Sequence, residues 1–133
     1  MTNQLHGLRA LILEDEALIA MDIEVMLETL GLEIAGWHRT VEEAVAHIDD
    51  DAPDLALLDV NLGPGVTSLP VAEHLRHCGV PFAFLTGYGR SALLENFPDV
   101  EVLSKPLDEV RLIDLVTRLA DRSPRTKLAA QEK

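Results

Sequence analysis

The fold is decided by one short stretch, Leu55-Ala56-Leu57-Leu58-Asp59, in which four apolar residues end in a carboxylate. A short continuous apolar run is typical of a strand buried on both faces of a parallel sheet. Other apolar runs are also followed by polar residues. Glu14 and Asp15 follow Leu8–Leu13, Thr86 follows Phe82–Leu85, and Lys105 comes shortly after Val102–Leu103. Because the carboxyl ends of parallel strands face a common crevice where ligands bind, we expect these side chains to converge there.

Helical periodicity alternates with the apolar runs along the whole chain, which is the pattern of a parallel sheet with crossover helices. We predict five βα units in a flavodoxin-like, doubly wound α/β fold with strand order 2-1-3-4-5. The fourth helix is expected to be reduced, because Gly87, Gly89 and Pro98 interrupt the segment after Thr86. The predicted strands are Leu8–Leu13, Glu33–Trp37, Asp54–Leu58, Phe82–Leu85 and Glu101–Leu103.

Start and stop signals bound the predicted helices. Gly31 ends the first helix, and Thr40 with Glu43 forms a capping box for the second. In the third helix, Cys78 is expected to continue the buried stripe. Asp108 caps the last helix, and the residues predicted on its inward face are Leu112, Ile113, Val116, Leu119 and Ala120.

The composition fits a single compact domain. The chain has 133 residues, of which 47% are apolar, and a mean hydropathy of +0.12. We divide it into an N-terminal segment at 1–7, a folded domain at 8–121 and a disordered tail at 122–133. No apolar run approaches the roughly 20 residues that span a bilayer, and the first residues lack a signal-peptide pattern. With Cys78 as the single cysteine, a reducing, cytoplasmic location is expected.

The charge balance argues against two classes of partner. The formal net charge is −12 at pH 7, from 23 acidic and 11 basic side chains. Binding to phosphate backbones needs clustered Lys and Arg, and an anionic membrane surface needs the same. We therefore expect neither nucleic acid nor a membrane as a partner.

Asp59 is the candidate phosphoryl acceptor. A carboxylate can accept a phosphoryl group when the developing charge is neutralised, so the protein must supply mainly positioning and electrostatics. Glu14 and Asp15 could hold a Mg²⁺ ion, with Asp59 as the third ligand and the backbone carbonyl of Asn61 as a fourth. Taken alone, Glu14 and Asp15 fit equally well as negative charges placed at a helix N-terminus. The combination with the other strand-end residues favours the cation site.

Thr86 and Lys105 are the candidate donors to the phosphoryl oxygens. A threonine hydroxyl can hydrogen-bond one oxygen, and an ammonium group can pair with another. Before phosphorylation Lys105 is expected to pair with Asp59, which would help three acids to share one crevice. A cis peptide bond before Pro106 could direct the lysine side chain inward.

From Leu8 to about Ala120 the chain resembles the receiver domain of two-component response regulators. The matching segments lie at the expected strand ends and in the expected order: Leu13-Glu14-Asp15-Glu16, Leu57-Leu58-Asp59-Val60-Asn61-Leu62, Leu85-Thr86-Gly87 and Ser104-Lys105-Pro106. The resemblance implies Mg²⁺-dependent phosphorylation of Asp59 by the phosphohistidine of a histidine kinase. It also implies that the acidic residues and the Asn61 carbonyl hold the metal, while Thr86 and Lys105 sense the phosphoryl group.

The resemblance further implies a single-domain response regulator rather than an enzyme that turns over an outside substrate. Such a protein would signal through contacts with an unknown downstream protein, or act as a phosphate shuttle or sink, as a monomer or a phosphorylation-dependent dimer. One alternative is a receiver-fold adaptor that works without phosphorylation. Another is an aspartyl-phosphate-type phosphohydrolase, although that class needs a second acid where this chain has Asn61.

The sequence departs from most receiver domains around the expected switch. Most of them have an aromatic residue three positions before the lysine, where this chain has Val102. An aromatic residue follows the threonine instead, at Tyr88, which resembles stand-alone receivers with a Phe-Ala-Thr-Gly-Tyr motif, here with Leu85 in place of the alanine. We therefore expect Thr86 and Tyr88 to form the switch, and phosphorylation to reorder the loop at 88–98.

No role is assigned to the remaining histidines. His74, His77 and Cys78 lie within one helical turn, but Cys78 is expected in the core and no distant fourth metal ligand is evident. His38 and His47 are interpreted as isolated residues.

Overall fold

The computed structural model describes residues 5–87 and 92–124, in which helices cover both faces of one parallel sheet. In chain order the elements are β1 (Arg9–Leu13), α1 (Ala17–Thr29), β2 (Glu33–His38), α2 (Val41–Asp50), β3 (Leu55–Asp59), α3 (Leu69–Cys78), β4 (Phe82–Thr86), a 3₁₀ turn (Ala92–Leu94), β5 (Val102–Ser104) and α4 (Glu109–Arg122). The strands pair in the order β2-β1-β3-β4-β5. The predicted doubly wound, flavodoxin-like fold is confirmed.

The strands differ from their predicted bounds by a residue or two, and the reasons are local. Asp54 precedes β3 because its carboxylate accepts a hydrogen bond from the backbone N–H of Arg9 at 2.7 Å. At the other end, β3 includes Asp59, which lies opposite Leu85 of β4 in the sheet register. In the same way β5 is shifted toward its carboxyl end, where Ser104 lies opposite Thr86.

The alternation of side chains along the strands divides the core into two layers. Leu57 of β3 lies in the layer covered by α1 and α4, where Ile23 and Val116 are fully buried. Leu58 lies in the opposite layer, covered by α2, α3 and the segment that follows β4. All five residues of β3 are buried. A central strand buried on both faces explains why its sequence is a continuous apolar run.

Two predictions about helix faces are wrong. Cys78 is exposed rather than buried, because it is the last residue of α3 and the chain reverses at Gly79, whose φ is 76°. It is Val80, after that turn, that enters the core. In α4 the buried stripe contains Leu115, whereas Ile113 is only half-buried at its edge.

The predicted caps are present at α2 and α4. Thr40 Oγ1 accepts a hydrogen bond from the backbone N–H of Glu43 at 3.2 Å, and the Thr40 hydroxyl lies 3.1 Å from Glu43 Oε1. At α4, the Asp108 side chain accepts from the N–H of Val110 at 2.9 Å. These contacts satisfy backbone donors that have no partner within the helix.

A short segment replaces a full fourth crossover helix, as predicted. Between β4 and β5, the described residues form only the 3₁₀ turn Ala92–Leu94. The space is filled by Phe97, which packs edge-on against Phe82 and Phe84 of β4 with ring centroids 6.1 and 5.5 Å away. The guanidinium carbon of Arg76 lies 4.4 Å from the centre of the Phe97 ring, and the same side chain donates to the Asn96 carbonyl. This segment is therefore anchored to α3.

The helices within the described ranges are all too short or too polar to cross a bilayer. At the carboxyl end, α4 runs to Arg122 and the next residue, Ser123, is buried. Most of the predicted tail, residues 125–133, lies outside the described residues.

Candidate functional site

The carboxyl edge of the sheet brings the predicted site residues together. Glu14 directly follows β1, Asp59 is the last residue of β3, and Thr86 is the last residue of β4. Lys105 directly follows β5. Because β1, β3, β4 and β5 are successive neighbours in the sheet, these residues lie side by side along one edge.

Three carboxylates form the centre of this site. One oxygen of each of Glu14, Asp15 and Asp59 lies within 4.8 Å of the corresponding oxygens of the other two. Glu14 is fully buried and Asp59 is 6% exposed, whereas Asp15 is partly exposed. Like charges this close repel one another strongly when they are shielded from water, so the arrangement calls for a positive charge.

Lys105 supplies one positive charge, but its closest partner is not the one expected. Its Nζ donates a hydrogen bond to Glu14 Oε1 at 2.8 Å and lies 3.3 Å from Asp59 Oδ1. The pair with Asp59 was expected from the sequence, whereas the closer pair with Glu14, 91 positions away in the chain, was not. The peptide bond between Lys105 and Pro106 is cis.

The electrostatics of the site show that one ammonium does not balance three carboxylates. Burial, and then the neighbouring Asp59 carboxylate, raise the pKa of Glu14 to about 8, although Lys105 acts in the opposite direction. Burial alone would lower the pKa of Lys105, but the hydrogen bond to Glu14 and the charges of Asp59 and Glu14 raise it overall. The ammonium form is therefore retained, and the excess charge is negative.

The donor set fits a small hard cation such as Mg²⁺. Mg²⁺ takes oxygen ligands and keeps several waters, and the three carboxylates supply oxygen ligands. Glu14 Oε2 is buried and has no hydrogen-bond partner among the described residues. A cavity of about 290 Å³ opens beside these acids and is lined by Asp59, Asn61 and Lys105, together with Glu16, Ile19 and Gly87.

The two predicted switch residues differ in what the structure describes. Thr86 is buried, and its backbone carbonyl accepts a hydrogen bond from the N–H of Lys105 at 2.7 Å. A backbone hydrogen bond thus links Thr86, the predicted hydroxyl donor, directly to Lys105, the predicted ammonium donor. Tyr88 lies outside the described residues. Val102, at the position where most receivers have an aromatic residue, pairs with Phe84 in the sheet.

Trp37 contacts the site, which the sequence analysis did not predict. Its indole Nε1 donates a hydrogen bond to the backbone carbonyl of Glu14 at 2.7 Å. The contact arises because Ile12 and Leu13 of β1 lie opposite Trp37 and His38 of β2. The register of β1 and β2 shifts between Ala10 and Leu11, so the pairing of these strands could be predicted from the sequence but the contact of Trp37 with Glu14 could not.

Comparisons with known proteins agree with the fold. The model of the response regulator receiver domain family matches residues 10–117. The phyllosphere-induced regulator PhyR of Methylorubrum extorquens is 35% identical over 111 residues, which are 81% of this chain and 42% of PhyR. The transcriptional regulatory protein PdtaR of Mycobacterium tuberculosis is 32% identical over 109 residues, 81% of this chain and 53% of PdtaR. The chain thus spans about half the length of these curated relatives.

Solved structures give the same result. The receiver domain of the PhyR response regulator of Erythrobacter litoralis has a TM-score of 0.80 at 27% identity, covering 90% of this chain and 95% of that one. SdrG from Sphingomonas melonis Fr1 has a TM-score of 0.76 at 39% identity, covering 90% of this chain and 98% of that one. The family match over most of the chain, the fold and the cluster of acids at the carboxyl edge of its sheet lead to one assignment: this chain belongs to the response regulator receiver domain family.

Proposed function

We propose that this chain is a phosphoacceptor of a two-component phosphorelay, in which Asp59 receives a phosphoryl group from a histidine kinase. The observation that carries the proposal is the placement of Asp59 between two further carboxylates and the Lys105 ammonium. Mg²⁺ would be held by Glu14, Asp15, Asp59 and the backbone carbonyl of Asn61. When bound, the ion would supply positive charge beside the transferring phosphoryl oxygens.

In the transfer, an oxygen of the Asp59 carboxylate forms a bond to phosphorus while the phosphorus–nitrogen bond of the phosphohistidine breaks. The imidazole leaves with the electron pair of that bond. Lys105 would pair with the new phosphoryl oxygens, a role supported by the 3.3 Å distance between its Nζ and Asp59 Oδ1. The Thr86 hydroxyl is the second proposed donor, and its residue is tied to Lys105 through the main chain.

The output of this chain is proposed to run through protein contacts or through the return of the phosphoryl group to the relay. No outside substrate is turned over, so the chemistry is limited to self-phosphorylation and loss of the phosphoryl group. A PhyR of Bartonella quintana, described as an anti-anti-sigma factor, is 32% identical, and this chain covers 49% of it. We therefore propose an unidentified protein as the downstream partner, with the kinase as the phosphodonor.

The proposal is tested by incubating the protein with Mg²⁺ and acetyl phosphate and measuring its intact mass. We expect one added phosphoryl group in the wild type and none in Asp59→Asn. Asp50→Asn is the matched control, because it makes the same change at an exposed position of α2. An unmodified wild type that also fails to bind beryllofluoride would contradict the proposal and favour the receiver-fold adaptor.

A further inference from the structure

Two histidines that are not part of the acidic site face each other between β2 and α2, although the backbone carbonyl of His38 accepts a hydrogen bond from the N–H of Glu14 at 3.0 Å. His38 is the last residue of β2 and His47 lies on α2, and both are half-buried. The Nε2 atom of His38 lies 2.7 Å from the Nδ1 atom of His47, and the two rings meet edge to face with centroids 4.9 Å apart. The interpretation of these histidines as isolated residues is therefore wrong. The turn from β2 into α2 brings them together.

Gly36 leaves room for the two imidazole rings to contact each other, because it has no side chain. Gly36 lies two positions before His38, so the alternation of β2 places both on the same face of the sheet. A Cβ atom at Gly36 would lie 2.7 Å from His47 Cε1, 2.8 Å from His47 Nδ1 and 3.0 Å from His38 Nε2. These distances are shorter than van der Waals contact. Any larger residue would displace the two ring nitrogens.

A carboxylate lies one helical turn before His47 on the same helix. Glu43 precedes His47 by four residues, and side chains with this spacing lie on one face of a helix. Glu43 is exposed and its carboxylate contacts the Thr40 hydroxyl, so its side chain can rotate without leaving a buried position.

We propose that His38 and His47 form a binding site for a divalent transition-metal ion such as Zn²⁺, with Glu43 as a third ligand. Zinc binds imidazole nitrogen at about 2.0–2.1 Å, so two nitrogens on one tetrahedral ion are about 3.3 Å apart. The two nitrogens share a hydrogen bond at 2.7 Å, so ion binding requires them to part by about half an ångström, the rings to turn so that both lone pairs point at the ion, and the shared proton to leave. Nitrogen donors distinguish this site from the carboxylate group at Glu14, Asp15 and Asp59, which suits Mg²⁺.

The experiment titrates the full chain with Zn²⁺ at about pH 7.5 in the presence of excess Mg²⁺, so that the acidic site is occupied by Mg²⁺. Calorimetry should give one Zn²⁺ ion per chain, and the ring signals of His38 and His47 should shift in nuclear magnetic resonance spectra. We expect His38→Gln and His47→Gln each to weaken Zn²⁺ binding at least tenfold. Gly36→Ala should also weaken it, although it leaves both histidines in place.

His77→Gln is the matched control, because it removes an exposed histidine of α3 by the same substitution. Far-UV circular dichroism of each variant checks that the fold is retained. Zn²⁺ binding that His38→Gln and His47→Gln leave unchanged would overturn the proposal, as would no Zn²⁺ binding by the wild type. Loss of binding in His77→Gln alone would place the ion on α3 and overturn the proposal too.

Discussion

At the scale of single residues, the central contact is the pair of Lys105 with Glu14. Glu14 is fully buried and Lys105 is mostly buried, so the ammonium group is poorly solvated, as is the carboxylate above pH 8, where Glu14 is mostly ionised. The effect of such a pair on folding stability depends on what replaces it, since removal of one partner leaves the other as an uncompensated buried charge. The wild-type site tolerates three acids because the ammonium contacts two of them.

We expect Lys105→Met to lower the free energy of unfolding by about 3 kcal/mol at pH 9 in the absence of Mg²⁺, and by less at pH 7, because the pKa of Glu14 is about 8 and its carboxyl group is mostly protonated at pH 7. The reason is that Glu14 and Asp59 lose their shared cation while both remain buried. Addition of Mg²⁺ should restore part of the loss, and urea unfolding with and without Mg²⁺ measures both effects. Arg111→Met is the control, because Arg111 is exposed and lies 4.0 Å from Asp108. A loss no greater than that of the control would refute the prediction.

Another prediction at this scale concerns Trp37, the single tryptophan of the chain. Because its indole donates to the carbonyl of Glu14, we expect Mg²⁺ to change its fluorescence emission. The change should require a much higher Mg²⁺ concentration in Asp15→Asn and should persist in Asp50→Asn. The same response in Asp15→Asn as in the wild type would mean that the ion binds elsewhere.

At the scale of elements, the short segment after β4 is the part of the chain that differs most from a complete βα unit. Its described residues are held by the packing of Phe97 against β4 and by the contacts of Arg76 from α3. The other end of the segment begins immediately after Thr86, a proposed donor to the phosphoryl group. A change at the site can therefore reach this segment directly through the main chain.

We expect beryllofluoride, which mimics the phosphoryl group on Asp59, to change amide hydrogen exchange across residues 88–98. Exchange in α2, which follows β2 at the other edge of the sheet, should stay the same and serves as an internal control. Hydrogen exchange followed by mass spectrometry of peptides measures both regions. If residues 88–98 exchanged equally with and without beryllofluoride, the proposed switch through Thr86 and Tyr88 would be wrong.

At the scale of the whole molecule, ion pairs join the edge strand to the last helix. Glu101, which directly precedes β5, accepts hydrogen bonds from Arg118 of α4 at 2.6–2.9 Å, and Arg122 lies 3.7 Å away. The hydrogen bond to Arg118 is the main cause of the lowered pKa of Glu101. The folded protein therefore binds a proton at Glu101 less readily than the unfolded chain does.

The lowered pKa fixes the sign of a pH effect. The stabilisation from Glu101 is fully present above the pKa of about 4.5 expected in the unfolded chain, and it is lost as pH falls through the lower folded value. We expect Glu101→Gln to cost up to about 1 kcal/mol of unfolding free energy at pH 7, because the pair is partly exposed to solvent. The difference from the wild type should shrink as pH is lowered from 5 toward 3.

Urea unfolding at several pH values measures this difference. Glu73→Gln, an exposed substitution on α3, is the control and should show little change at any of these pH values. A difference that grew on acidification would contradict the assigned direction of the pKa shift.

The sequence by itself determined the order of the strands and helices and the edge of the sheet at which the site lies. These features depend on local patterns: a continuous apolar run for β3, helical periodicity between the strands, and polar residues where strands end. Because a parallel sheet places all its carboxyl ends on one edge, the proximity of Glu14, Asp59 and Lys105 followed without any knowledge of distances.

Only the tertiary structure decided which of these residues pair. Lys105 lies closer to Glu14 than to Asp59. Trp37 donates a hydrogen bond to the carbonyl of Glu14, and the rings of His38 and His47 are within hydrogen-bond distance of each other. Each contact depends on the strand register and on the position of a crossover helix to within about one ångström. The periodicity of the sequence does not define positions with that precision. The exposure of Cys78 was also decided by the tertiary structure. The apolar helical pattern in the sequence continues to Cys78, but α3 ends at that residue.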